Sequence, residues 1–231
     1  HRLGEQSKRA LSRRDKGGWA RFDCPPLLPV FPRLAEQLDK ATPELKAALS
    51  SAARSTLGGH FSALGRQWPQ RDATALFPPT LWQLDPVTGQ LWPGAERYTF
   101  DIDFRHDGTR GDIKYVWELN RLQWLVPLAA HAALMQDRAA LATVETAIGS
   151  WHDANPPWTG VAWASGIEVA LRAISLLLVR DMLGTRLSPE TQRRMGQILG
   201  ASHFWLERFP SRFSSANNHL IAELCGEYLL G

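Results

Sequence analysis

From Lys114 to the end of the chain, apolar residues recur at helical spacing. In KYVWELNRLQWLVPLAAHAALMQ they stand at 116, 117, 119, 122, 124, 125 and 128. That rhythm turns one face of a helix toward a core. Pro127, inside the run, predicts a kink or a split. DRAALATVETAIGSW reads as a second helix and NPPWTG as a loop. SGIEVALRAISLLLVRDML opens with Ser165 and Glu168 at capping-box spacing. LSPETQRRMGQILGASHFWLERF opens with Ser188, Pro189 and Glu190, a cap, a first-turn proline and an acid. A last helical run, LIAELCGEYLL, follows SSANNH. Short connections make successive helices antiparallel. The pattern predicts an all-α fold, an array of antiparallel hairpins, open or closed into a ring. No repeat of fixed period is visible.

The first half reads differently. Residues 1 to about 20 carry charge without periodicity, and FDCPPLLPVFP is extended because proline disfavours helix around it. We therefore expect residues 1–32 to be a leader and Pro-rich segment, with the domain running from 33 to 231. Thr42, Pro43 and Glu44 predict a helix start, with a helix through about Thr56 stopped by Gly58 and Gly59. Residues 65–113 are dense in turn signals, and YTFDIDF alternates like a short strand. Irregular segments of this length are usually functional.

Composition narrows the function. With 44% hydrophobic and 21% charged residues, the chain is not disordered. Its net charge of +3 suits a polyanionic partner weakly. The basic excess lies in HRLGEQSKRALSRRDKGG, which reads as a solvated leader, so no nucleic-acid partner is expected. Cys24 and Cys225 form neither a disulfide framework nor a metal-binding spacing, so no metal or cofactor is expected. Apolar runs such as AISLLLV are too short to cross a bilayer, so no membrane partner is expected either. The chain begins with His, shows no secretory signal, and stops inside an apolar helical pattern, so we expect more protein beyond Gly231. Its ten tryptophans suit either sugar-binding clefts or helix packing.

Three constellations carry chemistry. Trp117, Asn120, Arg121 and Trp124 fall on one helical stripe, which places an amide and a guanidinium on an aromatic face. Burying them without partners costs a few kcal/mol, so they are paired internally or line a wet cavity. Glu118 can reach Lys114 or Arg121. Glu168 and Arg172 stand at i and i+4 with Trp163 just before them. Asn217, Asn218 and His219 crowd the start of the last helix, where Ser215 already offers a cap. A helix N-terminus with an amide and an imidazole can hold a carboxylate and stabilise further negative charge on it.

Taken together, DIKYVWELNRLQWL, GVAWASGIEVALRAIS and FSSANNHLIAELCGEYLLG resemble the N-terminal domain of the heparinase II/III family of bacterial polysaccharide lyases. The resemblance spans roughly residues 75 to 231. It implies an incomplete (α/α) toroid, followed in full-length members by a β-sandwich, in a periplasmic or secreted enzyme. It implies β-elimination of a uronate-containing polysaccharide, with Asn218 neutralising the uronate carboxylate and His219 beside it. On our own reading of the stripes, Trp117, Glu118, Asn120, Arg121, Trp163, Glu168 and Arg172 converge on the substrate cleft. Arg121 and Arg172 either hold substrate carboxylates or pair with Glu118 and Glu168 as scaffold, the scaffold reading leading for Glu168 and Arg172. The family's catalytic Tyr and sandwich His would fall after Gly231, and Tyr228 does not match that Tyr. The competing expectations are an (α/α)-barrel glycoside hydrolase, which needs two facing carboxylates from Asp101, Asp103, Glu118 and Glu168, and a non-catalytic sugar-binding helical module.

Overall fold

The computed structural model describes residues 13, 18–23, 29–105, 107–212 and 217–231. Those residues are mostly helical. The main helices are α1 (Leu34–Asp39), α2 (Pro43–Leu57), α3 (Ile113–Asn120), α4 (Leu125–Met135), α5 (Arg138–Ala154), α6 (Gly166–Leu183), α7 (Pro189–Arg208) and α8 (Asn218–Leu230). A two-residue antiparallel ladder, β1 (Ser62–Ala63) with β2 (Arg66–Gln67), is the one sheet among them.

Most starts follow the local chemistry. Thr42 Oγ1 accepts from the Leu45 N–H at 3.3 Å, with Pro43 as the first residue of α2. Ser188 Oγ accepts from the Thr191 N–H at 3.3 Å, with Pro189 leading α7. Asp137 caps α5 through the N–H groups of Ala139 and Ala140. These bonds satisfy donors that a helix leaves open at its start. Gly58 ends α2 as expected.

Pro127 splits its run, but five residues upstream of itself. The proline ring excludes the carbonyl four residues earlier, that of Gln123, from a continuing helix. Leu122 takes the left-handed region at φ 57°, α3 ends at Asn120, and Pro127 sits in the first turn of α4, where its missing N–H costs nothing. The expected four-residue stripe therefore stops at Arg121. Trp124 lies past the break, and its indole N–H donates to the Leu119 carbonyl at 3.1 Å.

Helices α2, α4, α6 and α8 pack side by side as one row, and α5 packs on α7 as a second. The hairpins α4–α5, α6–α7 and α7–α8 join the rows. The α4–α5 turn is only Gln136 and Asp137, with Gln136 left-handed. The core between the rows is aromatic. Trp82, Trp151, Trp163 and Trp205 are fully buried, and Trp158 stacks on Trp205 at 5.3 Å. A smaller cluster, including Trp92, Ile102, Val116 and Trp117, lies under the irregular segment.

Two expectations need correction. YTFDIDF is not a strand: Thr99–Asp101 is a 3-10 turn. Phe100 stacks on Trp205 at 4.9 Å while Ile102 enters the smaller cluster, and a turn divides these side chains between two cores. The described part of the expected leader is also docked. Trp19–Phe22 is a 3-10 turn with Phe22 buried. The Trp19 ring stacks on His152 at 4.3 Å, and its N–H donates to the His152 carbonyl at 3.0 Å. Among the described residues no helix is long and apolar enough to cross a membrane.

Candidate functional site

The break after α3 leaves Arg121 at the helix end, facing the start of α6. Its Nε donates to Glu168 Oε2 at 2.6 Å and its Nη2 to Glu168 Oε1 at 3.2 Å, a two-pronged pair. Nη1 donates to Glu118 Oε2. Burial opposes the Arg121 charge. The hydrogen bond and charge of Glu168, then those of Glu118, outweigh it and hold the guanidinium above its ordinary pKa. Glu168 is buried, whereas Glu118 and Arg121 keep some exposure.

This pairing overturns the expected capping box. Ser165 precedes α6 but makes no side-chain cap bond, and the Glu168 carboxylate that would complete the box pairs instead with Arg121, 47 residues away in sequence. The start of α6 receives a different acid. Glu223, from α8, is buried and stands against Gly166, the first residue of α6. It also accepts from the Ser211 N–H at 2.7 Å and the Ser211 hydroxyl at 2.6 Å. A carboxylate there is favoured by the positive helix end. Sequence reasoning missed Glu223, although an acid inside LIAELCGEYLL was a signal.

Asn120 is fully buried and internally satisfied. Its Nδ2 donates to the carbonyls of Trp82 and Val116, both at 2.8 Å, and its Oδ1 accepts from Trp151 Nε1 at 2.8 Å. Trp117 donates to the Val161 carbonyl at 3.0 Å, and Trp163 to that of Asn155 at 3.2 Å. Arg172 is fully buried between two indoles, 4.3 Å from the Trp151 ring centre and 4.9 Å from that of Trp163. Its Nη1 donates to the Ala162 carbonyl at 3.1 Å, while Nε and Nη2 have no partner among the described residues. Burial draws its pKa down to about 9, only partly offset by the Glu168 charge. These four residues hold the junction of α3, α5 and α6 together from inside. Asn120, Trp163 and Arg172 present no surface to a ligand, and Trp117 keeps only 9% of its own.

Asn218 and His219 open α8. Asn217, just before them, makes no side-chain cap bond, and the expected cap Ser215 lies outside the described residues. Asn218 is exposed and His219 half-buried. No hydrogen bond or ion pair joins either to the Arg121–Glu168 cluster among the described residues. The structure thus brings Trp117, Glu118, Asn120, Arg121, Trp163, Glu168 and Arg172 into one connected region. One polar link from there to α8 runs through Gly166 and Glu223, beside the apolar packing of α8 on α6.

The four hydrolase carboxylates all have partners, and Asp103 Oδ1 accepts from the Arg105 N–H at 3.3 Å. Glu118 and Glu168 share Arg121, and Asp101 pairs with Arg13. No described tryptophan lies open on the surface. The eight most enclosed are core and Trp19 and Trp124 are half-buried, so the packing role accounts for them. Among the described residues no group of three or more His, Cys, Asp or Glu is placed to hold a metal. No family model, curated protein or solved structure matches the chain.

Proposed function

We propose that this chain is the helical part of a polysaccharide lyase that cleaves a uronate-containing polysaccharide by β-elimination. The observation that carries the reading is the state of Asn218. It is an exposed amide in the first turn of a 13-residue helix, with no hydrogen-bond partner among the described residues and no capping role. Beside it stands His219, and the first N–H groups of α8 lie within the same turn. Removing the proton next to a uronate carboxylate spreads negative charge onto that carboxylate. Preorganised donors at a positive helix end stabilise that charge more than they stabilise the substrate. One such donor is worth about 2.7–4 kcal/mol.

In this reading the Arg121–Glu118–Glu168 cluster and buried Arg172 are scaffold that fixes the start of α6, and through Glu223 the start of α8. The two helical rows are part of an incomplete (α/α) toroid. The partner is an acidic polysaccharide or oligosaccharide. A β-sandwich in the full-length protein completes the site, including its base, in the periplasm or outside a bacterial cell.

The test is Asn218→Ala in the full-length protein, followed by the ultraviolet absorbance of the unsaturated product. Turnover falls about 10²–10³-fold while the melting temperature holds. An unchanged elimination rate removes the assignment. Cleavage of uronate polymers without absorbing product points instead to hydrolysis, and binding without cleavage to a sugar-binding module.

A further inference from the structure

At the far end of α6 from Gly166, a cavity of about 360 Å³ opens where the α4–α5 turn meets the end of α6. An 18-residue helix separates the two ends, about 25 Å at 1.5 Å per residue. The cavity is therefore distinct from the Asn218 region, and nothing about it depends on the lyase reading. Its volume falls within the range of small-ligand sites.

The lining divides by chemistry. Ala132, Leu141 and Leu183 supply apolar wall, and Arg138, Arg186 and Asp137 supply charge. Asp137 is already committed. Its Oδ1 accepts from the N–H groups of Ala139 and Ala140, and its Oδ2 stands 3.3 Å from His131 Nε2. Buried His131 is held in turn by Ser50 Oγ, 3.0 Å from its Nδ1. The two arginines are not committed in this way. Arg186 donates Nη1 to the Ala133 carbonyl at 2.9 Å, one of the last carbonyls of α4, and both arginines are exposed at the cavity mouth. Neither arginine has a carboxylate partner among the described residues. Two guanidiniums and one engaged carboxylate leave a net charge of +1 beside an apolar wall. That combination matches one anionic head on an apolar tail, and a guanidinium fork suits a carboxylate.

We propose that this cavity binds a small amphipathic monocarboxylate, its head at Arg138 and Arg186 and its tail against Ala132, Leu141 and Leu183. The test titrates the protein with hexanoate, hexanol and inorganic phosphate, and follows the methyl signals of Leu141 and Leu183 by NMR. Hexanoate shifts both signals saturably, and binds more tightly than hexanol or phosphate. Arg138→Gln and Arg186→Gln each weaken hexanoate about two- to fivefold, the loss expected for one solvent-exposed charge contact. Arg138→Gln removes a cation from the positive end of α5, so it leaves the fold intact and keeps the comparison sound. The proposal is overturned if hexanoate causes no saturable shift at millimolar concentration. It is equally overturned if hexanol or phosphate binds as tightly, or if both arginine variants keep wild-type affinity.

Discussion

Gly166 and Glu223 touch where no other residue at position 166 would let them. A Cβ on Gly166 would lie 2.2 Å from Glu223 Oε1 and 2.7 Å from its carboxyl carbon. The absent side chain is what brings the acid of α8 to the first turn of α6. Because Glu223 also accepts two bonds from Ser211, it ties α6, α8 and the early part of the α7–α8 connection at one point.

Gly166→Ala should therefore undock the start of α8. The carboxylate must swing away and lose its Ser211 bonds while still half-enclosed. A loss of about 1–3 kcal/mol is expected from burying an acceptor stripped of partners. Thermal unfolding measures the total. Hydrogen exchange should show protection falling first in α8. Equal protection loss across all helices would mean that the contact does not hold α8 in particular.

Much of the fold was legible because its signals were local. The caps at Thr42 and Ser188, the stop at Gly58 and the helical period lie within a few residues of the backbone groups they act on. Errors arose where partner choice was nonlocal. Glu168 had the spacing of a capping box, but Arg121 offered a charge, which is the stronger partner. YTFDIDF alternated like a strand, but its side chains divide between two cores that only the folded chain defines. The expected stripe of Trp117, Asn120, Arg121 and Trp124 loses Trp124 to the break at Leu122, while Trp117 and Asn120 do set a polar group beside an aromatic one. Periodicity could not tell a cleft from a satisfied interior, because the Trp82 carbonyl and the Trp151 indole that satisfy Asn120 come from distant segments.

Arg172 is a test of a cation in an apolar cage. Arg172→Met keeps most of the volume between Trp151 and Trp163. It gives up the bond to the Ala162 carbonyl and relieves two buried nitrogens, Nε and Nη2, without partners. These effects are each about 1–3 kcal/mol and oppose one another, so the variant should lie within about 1 kcal/mol of wild type at pH 7. Arg172→Ala, which leaves a cavity, should cost about 2–5 kcal/mol. The pH dependence has a definite sign. Burial lowers the Arg172 pKa to about 9, so above that pH the unfolded chain binds more protons at this position than the folded one. Wild-type stability relative to Arg172→Met should then rise as pH increases beyond about 9. A difference that stays flat or falls across that window contradicts the desolvated-cation account.

Asp137 makes the opposite prediction at the acid end. The Ala140 N–H, then the Ala139 N–H and His131, hold its carboxyl below the usual aspartate pKa against a smaller effect of burial. Its contribution is fully present above the unfolded-state value of about 4 and is lost as pH falls through the lower folded value. Asp137→Asn keeps a capping oxygen and should flatten this part of the acid-unfolding curve. Asp137→Ala should lower stability by about 1 kcal/mol at neutral pH. Superimposable wild-type and Asp137→Asn curves between pH 5 and pH 2 would show that the carboxyl charge does not matter there.

Arg121 decides whether the central cluster is scaffold or cleft. If it is scaffold, its task is to neutralise Glu168, which is only 2% exposed. Arg121→Ala would leave that charge buried with no paired partner and should cost about 3–5 kcal/mol. Replacing Glu168 as well, in Arg121→Met with Glu168→Leu, removes the charge together with its counter-ion and should recover much of the loss, less the support that Glu168 gives the buried Arg172 cation. A cleft role predicts something else. The double variant would fold well, yet the full-length protein would bind acidic oligosaccharide much more weakly, because the cation that met the substrate is gone. Melting curves of the two variants, with oligosaccharide binding by the double variant, separate the cases. We expect recovery of stability together with near-wild-type binding. That outcome would place substrate recognition with the exposed groups that open α8, and the ion cluster behind them as support.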